Sequence, residues 1–298
     1  MRVVISGASG LIGTALTSAL HEGGHDVVAL VRRQARGDHE SSWSPAGGAI
    51  DLDVVASADA IVNLAGASIG DRRLTEAYRK VVLQSRVDST TTIAKAVAEA
   101  NPSATLLQGS AMGYYGSRGE ERLSERSEPG DTFLSEICTA WESSATPAAD
   151  AGARVVALRT GLVLAPTGGF AQRLLPLVRR GLISQLGAGS TWHSWISLDD
   201  AVRAIVFHLT SDHHGPSNIV APSPVRDRDL ITALSTALGR SPGLPVPAWT
   251  MRLAAGPAAE DLLSSQRAVP DVLTRLGFEW NHPRIEDAAQ WIASSFAH

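Results

Sequence analysis

The 298-residue chain is short of cysteine, of basic charge and of long apolar runs. Its single cysteine, Cys138, excludes an internal disulfide, so we expect a reducing, cytoplasmic location. With 26 Lys and Arg against 30 Asp and Glu, it lacks the basic excess of nucleic-acid binders. No apolar run reaches the roughly 18 residues of a membrane span. We therefore expect a globular protein that binds neither nucleic acid nor a membrane.

The first part of the chain alternates short apolar runs with longer segments of helical spacing. The predicted strands are Arg2–Ser6, Asp26–Val31, Ala60–Leu64, Ala104–Gln108 and Arg154–Leu158. Helical patterns cover Leu11–Glu22 and Thr75–Ala100. Continuous apolar strands separated by helices indicate a parallel sheet that is covered on both faces. We therefore predict an α/β fold with a doubly wound parallel sheet of the Rossmann type.

The second half of the chain is richer in glycine turns and is predicted to form a smaller domain. We place a dinucleotide-binding domain over residues 1–165 and a substrate-side domain with a carboxyl-terminal extension over residues 166–298. The strand-like segment Ser217–Ala221 is expected to return to the main sheet. By analogy with related folds, the helix predicted over Thr75–Ala100 is a candidate surface for a homodimer.

A glycine-rich turn directly follows the first strand and opens the first helix. It reads Gly7-Ala-Ser-Gly10-Leu11-Ile12-Gly13, with the spacing G-x-x-G-x-x-G. Gly7 permits a tight turn, Gly10 lets a pyrophosphate approach the backbone, and Gly13 lets the helix lie close to the strand. Free N–H groups and a partial positive charge at the helix N-terminus favour phosphate. This context predicts a dinucleotide site; a turn without a ligand is the alternative.

Two arginines at the end of the second predicted strand favour one cofactor over another. Sites for NAD usually place an acidic residue here, which accepts a hydrogen bond from the ribose 2′-hydroxyl. This chain has Arg32 and Arg33 after Val31, and no acid. Guanidinium groups form bidentate, charge-assisted hydrogen bonds with phosphate, so the pair favours the 2′-phosphate of NADP. The other interpretation is that two surface arginines merely solvate the end of a strand.

Further motifs along the whole chain carry a resemblance to a known family. They are Asn63-Leu-Ala-Gly66, Lys80, Ser85-Arg86, Ser110-Ala-Met-Gly-Tyr-Tyr-Gly116, Trp141-Glu142, Arg159-Thr-Gly-Leu-Val-Leu164, Trp195-Ile196, Asp199-Asp200, Asn218-Ile-Val-Ala-Pro222, Gln266-Arg267, Pro270, Gly277-Phe278 and Pro283. With the glycine turn, these motifs resemble the extended short-chain dehydrogenase/reductases, also called the NAD-dependent epimerase/dehydratase family. More narrowly, the chain resembles the YfcH-type epimerase-family subgroup, which has a small carboxyl-terminal extension.

The resemblance implies cofactor contacts at positions spread along the chain. Arg32 is expected to hold the 2′-phosphate of NADP, and Leu64 and Ala65 to line the adenosine side. Arg86 is expected to reach the cofactor, and Leu162 to lie against its nicotinamide end. Ligands of such sheets bind at the carboxyl ends of the parallel strands, which is consistent with these positions.

The proton-transfer residues of the wider superfamily are missing. Its members use Ser or Thr with Tyr-x-x-x-Lys, in which the tyrosine exchanges a proton with the substrate oxygen. Alignment on Glu142 puts Leu134 and Cys138 at the tyrosine and lysine positions, and neither supplies that chemistry. We take Ser110 and Tyr115 as candidate catalytic replacements, with aromatic packing as the other role for Tyr115.

Two functional hypotheses follow from these motifs. The first is an NADP-dependent oxidoreductase or epimerase that acts on an unknown small polar carbonyl or sugar-like substrate. The second is a non-catalytic NADP-binding sensor or scaffold, which the missing tyrosine and lysine favour. The glycine turn disfavours a purely structural protein. No metal is assigned, because the sequence has neither His-Glu-x-x-His nor a Cys/His cluster.

Overall fold

The computed structural model describes residues 1–69, 72, 74–255 and 263–296, and it is built on a seven-stranded parallel sheet. The strands of this sheet are β1 (Arg2–Ser6), β2 (Asp26–Val31), β3 (Glu40–Ser42), β4 (Ala60–Asn63), β5 (Thr105–Ala111), β7 (Val155–Thr160) and β12 (Gly215–Ile219). Their order is β12-β7-β5-β4-β1-β2-β3, and every neighbouring pair is parallel. The predicted doubly wound α/β fold is therefore confirmed.

Shorter strands form two-stranded pairs outside the main sheet. They are β6 (Arg122–Leu123), β8 (Leu162–Leu164), β9 (Ile183–Leu186), β10 (Trp192–His193), β11 (Trp195–Ser197), β13 (Val225–Arg226), β14 (Leu244–Val246) and β15 (Arg267–Ala268). The helices are α1 (Leu11–Glu22), α2 (Leu52–Ala56), α3 (Glu76–Ala100), α4 (Phe133–Ser143), α5 (Thr146–Asp150), α6 (Gly169–Arg179), α7 (Leu198–Thr210), α8 (Asp227–Ala237), α9 (Ala248–Ala255), α10 (Asp271–Arg275) and α11 (Ile285–Ser294). Within the described ranges, no helix combines the length and the hydropathy that a bilayer crossing requires.

The apolar run of β1 explains why helices cover the sheet on both faces. Val3 and Ile5 point to one face and pack in a cluster with Leu16 of α1 and residues of α7. Val4 points to the other face and packs in a cluster with Ile93 of α3. Because successive side chains of a strand alternate between faces, a strand buried on both sides reads as a continuous apolar run.

The second half of the chain contributes both to the sheet and to a separate apolar cluster. Strand β12 pairs with β7 at Gly215–Ile219, two residues before the predicted returning segment. The separate cluster joins Leu175 of α6, Leu230 of α8 and Ile292 of α11. The chain after residue 165 thus supplies strand β12 and the covering helix α7 to the main sheet, and it also forms this separate cluster.

A buried carboxylate fastens the carboxyl-terminal tail to helix α7. Asp200 is 0% exposed, and its two oxygens accept hydrogen bonds from the backbone N–H groups of Asn281 at 2.7 Å and His282 at 2.8 Å. Arg203 and the Ser197 hydroxyl also donate to it. With Asp199 and His282, Asp200 forms a cluster whose potential ligand atoms lie within 4.8 Å of one another. The hydrogen bonds already present make this cluster a structural connection.

Candidate functional site

The carboxyl ends of the central strands bring most of the predicted site residues to one edge of the sheet. Ser6 at the end of β1 is in register with Leu30 of β2 on one side and Asn63 of β4 on the other. The residues that follow these three positions include the glycine turn, Arg32 and Leu64. Farther along the edge, Asn63 is in register with Gln108 of β5, just before Ser110. Such an edge is where open α/β sheets bind ligands.

The glycine turn has little room for side chains and leaves the start of α1 open. Gly7 has a φ of +73°, and a Cβ on it would lie 2.7 Å from the carbonyl carbon of Leu64. A Cβ on Gly13 would lie 2.2 Å from the Gly7 carbonyl oxygen, whereas one on exposed Gly10 would meet only that oxygen, at 3.3 Å. Among the residues that the structure describes, no side chain caps α1, which begins at Leu11. The N–H groups of its first turn, which includes Ile12, therefore have no acceptor among the described side chains and suit a phosphate.

The two arginines after β2 have different surroundings. Arg33 donates two hydrogen bonds to Glu40, at 2.5 and 2.6 Å, and it holds the pKa of that carboxyl at about 2. Arg32 is exposed and makes no ion pair with any residue that the structure describes. The structure therefore leaves the Arg32 guanidinium available to a ligand, while an acid on the neighbouring strand already holds Arg33.

Arg86 braces the loop that follows β4. This side chain is only 9% exposed, and its Nη1 donates to the carbonyl oxygens of Ala67 at 2.9 Å and Val82 at 3.0 Å. Burial lowers the pKa of its guanidinium below the ordinary value. Leu64 and Ala65, in the same loop, are half-buried beside the glycine turn. The observed hydrogen bonds of Arg86 hold the loop against α3. A contact between Arg86 and the cofactor stays a prediction.

Tyr115 lies inside the protein and not on the surface of a cleft. It is 0% exposed, its hydroxyl donates to Asn218 Oδ1 at 2.7 Å, and it accepts a hydrogen bond from Arg159 Nη1 at 3.0 Å. Burial raises the pKa of Tyr115 to about 12. Both features oppose proton exchange with a substrate and favour the packing role for Tyr115, whose catalytic role stays a prediction.

Ser110 is linked to Tyr115 through the buried ion pair of Glu142 and Arg159, and these four residues form one polar network. The Ser110 hydroxyl donates to Glu142 Oε1 at 2.6 Å, and that carboxylate accepts two hydrogen bonds from Arg159, at 2.8 and 2.9 Å. Although burial acts in the opposite direction, Glu142 raises the pKa of Arg159 above its ordinary value. The Arg159 guanidinium also lies 3.4 Å from the centre of the Tyr114 ring.

Sequence reasoning missed the ion pair at the centre of this network. In the sequence, Glu142 and Arg159 belong to two separate motifs, and neither motif indicates that the two side chains meet. The two residues stand 17 positions apart, on α4 and β7, and no local pattern links them. Only the packing of α4 on the sheet brings them together.

The residues at the positions expected for tyrosine and lysine both pack against Gly113. Leu134 and Cys138 lie one turn apart on α4 and face Gly113, where an added Cβ would meet Leu134 Cβ at 3.1 Å and Cys138 Sγ at 3.6 Å. Leu162 is half-buried on β8, and its N–H donates to the Ser194 carbonyl oxygen at 2.8 Å. Because β7 ends at Thr160 and its Arg159 is in register with Ser110, Leu162 lies at the same edge of the sheet as Ser110.

Comparison with family models and known sequences gives consistent matches over nearly the whole chain. Residues 3–221 match the model of the NAD dependent epimerase/dehydratase family, and residues 246–292 match a domain of unknown function, DUF1731. The chain is 41% identical over 288 residues to epimerase family protein Mb2239 of Mycobacterium bovis, covering 96% of this chain and 95% of that protein. It is 32% identical over 300 residues to human epimerase family protein SDR39U1, covering 99% and 100% of the two chains.

Two solved structures share the fold at more than 30% sequence identity. The crystal structure of human SDR39U1 (isoform 2) with NADPH has a TM-score of 0.89 and 31% identity, and it covers 99% of each chain. A nucleoside-diphosphate sugar epimerase from Corynebacterium glutamicum has a TM-score of 0.81 and 33% identity; the match covers 99% of this chain and 58% of that one.

Proposed function

Because this chain belongs to the NAD dependent epimerase/dehydratase family, we propose that it binds NADP(H) at the carboxyl edge of its sheet. The observation that carries the proposal is exposed Arg32, which has no acidic partner among the described residues and follows the strand next to the glycine turn. The open N–H groups at the start of α1 would hold the pyrophosphate, and Arg32 the 2′-phosphate. The NADPH in the human SDR39U1 structure supports this assignment.

The finer proposal is an oxidoreductase or epimerase-like activity on a small polar carbonyl or sugar-like substrate. Bound NADPH supplies the hydride, and the protein contributes orientation and hydrogen bonds. The Ser110 hydroxyl donates its hydrogen bond to Glu142, so toward a substrate its oxygen can only accept one. Ser110 is therefore suited to orient a substrate hydroxyl, and the proton that accompanies the hydride must come from another group or from water.

A second candidate function is a non-catalytic sensor or scaffold that uses NADP(H) as a ligand. Leu134 and Cys138 favour it, because they stand where the family has its tyrosine and lysine, and neither supplies the hydroxyl or the ammonium group of that pair. The buried hydroxyl of Tyr115, held by Asn218 and Arg159, favours it too. The two candidates share the cofactor site and differ only in turnover.

Calorimetric titration of NADPH and NADH tests the shared part of the proposal. Charge-assisted hydrogen bonds are worth about 1.5–3 kcal/mol, so Arg32→Ala should weaken NADPH binding about 10- to 150-fold and leave NADH nearly unchanged. Arg33→Ala is the matched control and should weaken NADPH binding much less, because Glu40 already engages that guanidinium. Equal losses for both nucleotides, or tighter binding of NADH by the unaltered protein, would show that the cofactor assignment is wrong.

A turnover assay separates the two candidate functions. NADPH oxidation is followed at saturating cofactor with a panel of aldehydes, ketones and sugar-like carbonyl compounds. Substrate-dependent oxidation that falls in a Ser110→Ala variant supports the enzyme. Tight NADPH binding without oxidation across the panel supports the sensor.

A further inference from the structure

A groove of about 570 Å³ lies between helix α6, the end of α8 and the carboxyl-terminal tail. Its volume is within the range of small-molecule sites. Its wall combines three cationic side chains with an apolar surface, supplied by Arg179, Arg180, Arg240, Leu175, Pro176 and Phe296. None of the described residues that line it is acidic.

The positive charge of this groove has no counterpart in the described part of the protein. Arg179, Arg180 and Arg240 are exposed, and none of them forms an ion pair with a described residue. Helices α6 and α8 both end here, and a helix C-terminus carries roughly half a unit of negative charge. Two such ends offset about one of the three positive charges, which leaves an excess of about two. The chain as a whole has a net charge of −4, so the excess is local.

One arginine is held in place by an aromatic ring. The guanidinium carbon of Arg179 lies 4.6 Å from the centre of the Phe296 ring, a distance typical of a cation–π contact. Stacking on a ring leaves the N–H edge of a guanidinium free, and that edge matches the oxygens of a phosphate. Leu175, only 3% exposed, contributes to the apolar side of the groove.

From this combination we propose that the groove is a binding site for a phosphorylated small molecule with an apolar or aromatic portion. The guanidinium groups of Arg180 and Arg240 hold the phosphate, Arg179 completes the charge, and the apolar body lies against Phe296 and Pro176. The site adjoins the glycine turn, because a Cβ on Gly168 in its wall would lie 3.0 Å from Leu11 Cδ1. It uses none of the predicted cofactor-binding residues.

Titration of the full chain with phenyl phosphate and with inorganic phosphate tests this site. The test variant is Arg180→Gln with Arg240→Gln, which keeps Arg179 on Phe296. Its matched control is Arg126→Gln with Arg228→Gln, which removes the same charge from two exposed arginines elsewhere. We expect saturable binding of phenyl phosphate that weakens about tenfold or more in the test variant and stays within about twofold in the control.

Further arms separate this groove from the predicted cofactor site. Phenyl phosphate should bind more tightly than inorganic phosphate, and Phe296→Ala should remove that difference. The proposal is overturned by non-saturable binding in the unaltered protein, or by equal losses in the test and control variants. It is also overturned if Arg32→Ala abolishes binding while the test variant keeps it, because the anion then occupies the cofactor site. Circular dichroism checks the fold, and Arg240→Gln alone replaces the double variant if that variant unfolds.

Discussion

Removing the Tyr115 hydroxyl is expected to cost stability and to leave cofactor binding unchanged. In Tyr115→Phe the ring keeps its buried place, but Asn218 Oδ1 loses the hydroxyl that donates to it at 2.7 Å. Arg159 Nη1 loses an acceptor at 3.0 Å and keeps the Glu125 carbonyl oxygen at 3.3 Å. Asn218 stays anchored through its Nδ2, which donates to the Val269 carbonyl oxygen. The variant thus leaves one buried acceptor without a partner.

The expected magnitude follows from that single unsatisfied group. A buried acceptor left without a partner costs about 1–3 kcal/mol, and the Arg159 hydrogen bond is partly compensated. We therefore expect the free energy of unfolding to fall by about 1–3 kcal/mol in urea titrations followed by circular dichroism. NADPH affinity, measured by calorimetry on the same samples, should stay within about twofold of the unaltered protein. That limit corresponds to a change in binding free energy of about 0.4 kcal/mol.

The neighbouring tyrosine supplies the matched control. The Tyr114 hydroxyl has no hydrogen bond to a described residue, and its ring, which lies against the Arg159 guanidinium, is retained in Tyr114→Phe. That variant should change stability by less than about 0.5 kcal/mol. Unchanged stability in Tyr115→Phe, combined with loss of carbonyl-dependent NADPH oxidation, would refute our reasoning and support Tyr115 as the proton donor.

Two further predictions concern the glycine turn and a buried histidine. Gly13→Ala should lower the free energy of unfolding by about 2 kcal/mol or more, because its Cβ would lie 2.2 Å from the Gly7 carbonyl oxygen. Gly10→Ala should mainly weaken NADPH binding in calorimetry. Similar effects of the two changes on stability and on binding would contradict this prediction. Burial lowers the pKa of His208 to about 4, so stability should decline by up to about 3 kcal/mol as pH falls from about 6.5 towards 4, because only the unfolded chain takes up that proton. His208→Gln should flatten that part of a urea-unfolding pH profile, and an unaltered slope would exclude His208 as its source.

Much of the fold could be predicted because its signals are local. The apolar run Val3–Ile5 indicates a strand buried on both faces, and the structure packs its side chains into clusters on both sides of the sheet. The end of β12 was less predictable: Val220 and Ala221 are buried and apolar, yet they lie beyond the last paired residue, Ile219. Burial alone sets the apolar pattern, so the pattern does not mark where backbone pairing stops.

In the candidate site, too, the features encoded by neighbouring residues could be predicted, and those set by distant contacts could not. A glycine turn between a strand and a helix, and arginines directly after a strand, are encoded by neighbouring residues. Which of those arginines stays available was not encoded there, because it depends on Glu40 of the adjacent strand. The burial of Tyr115 was not predictable for a similar reason: a hydroxyl beside a strand end can face a cleft or the interior, and spacing does not distinguish the two.

Sequence by itself determined the parallel sheet, the glycine turn between β1 and α1, and the place of Arg32 after β2, because strand period and helix start follow from short-range geometry. Tertiary structure alone decided the burial of Tyr115 against Asn218, 103 positions away, and the joining of Ser110 to Glu142 across 32 positions. Such contacts depend on how helices and returning strands pack on the sheet, and packing is a property of the whole chain.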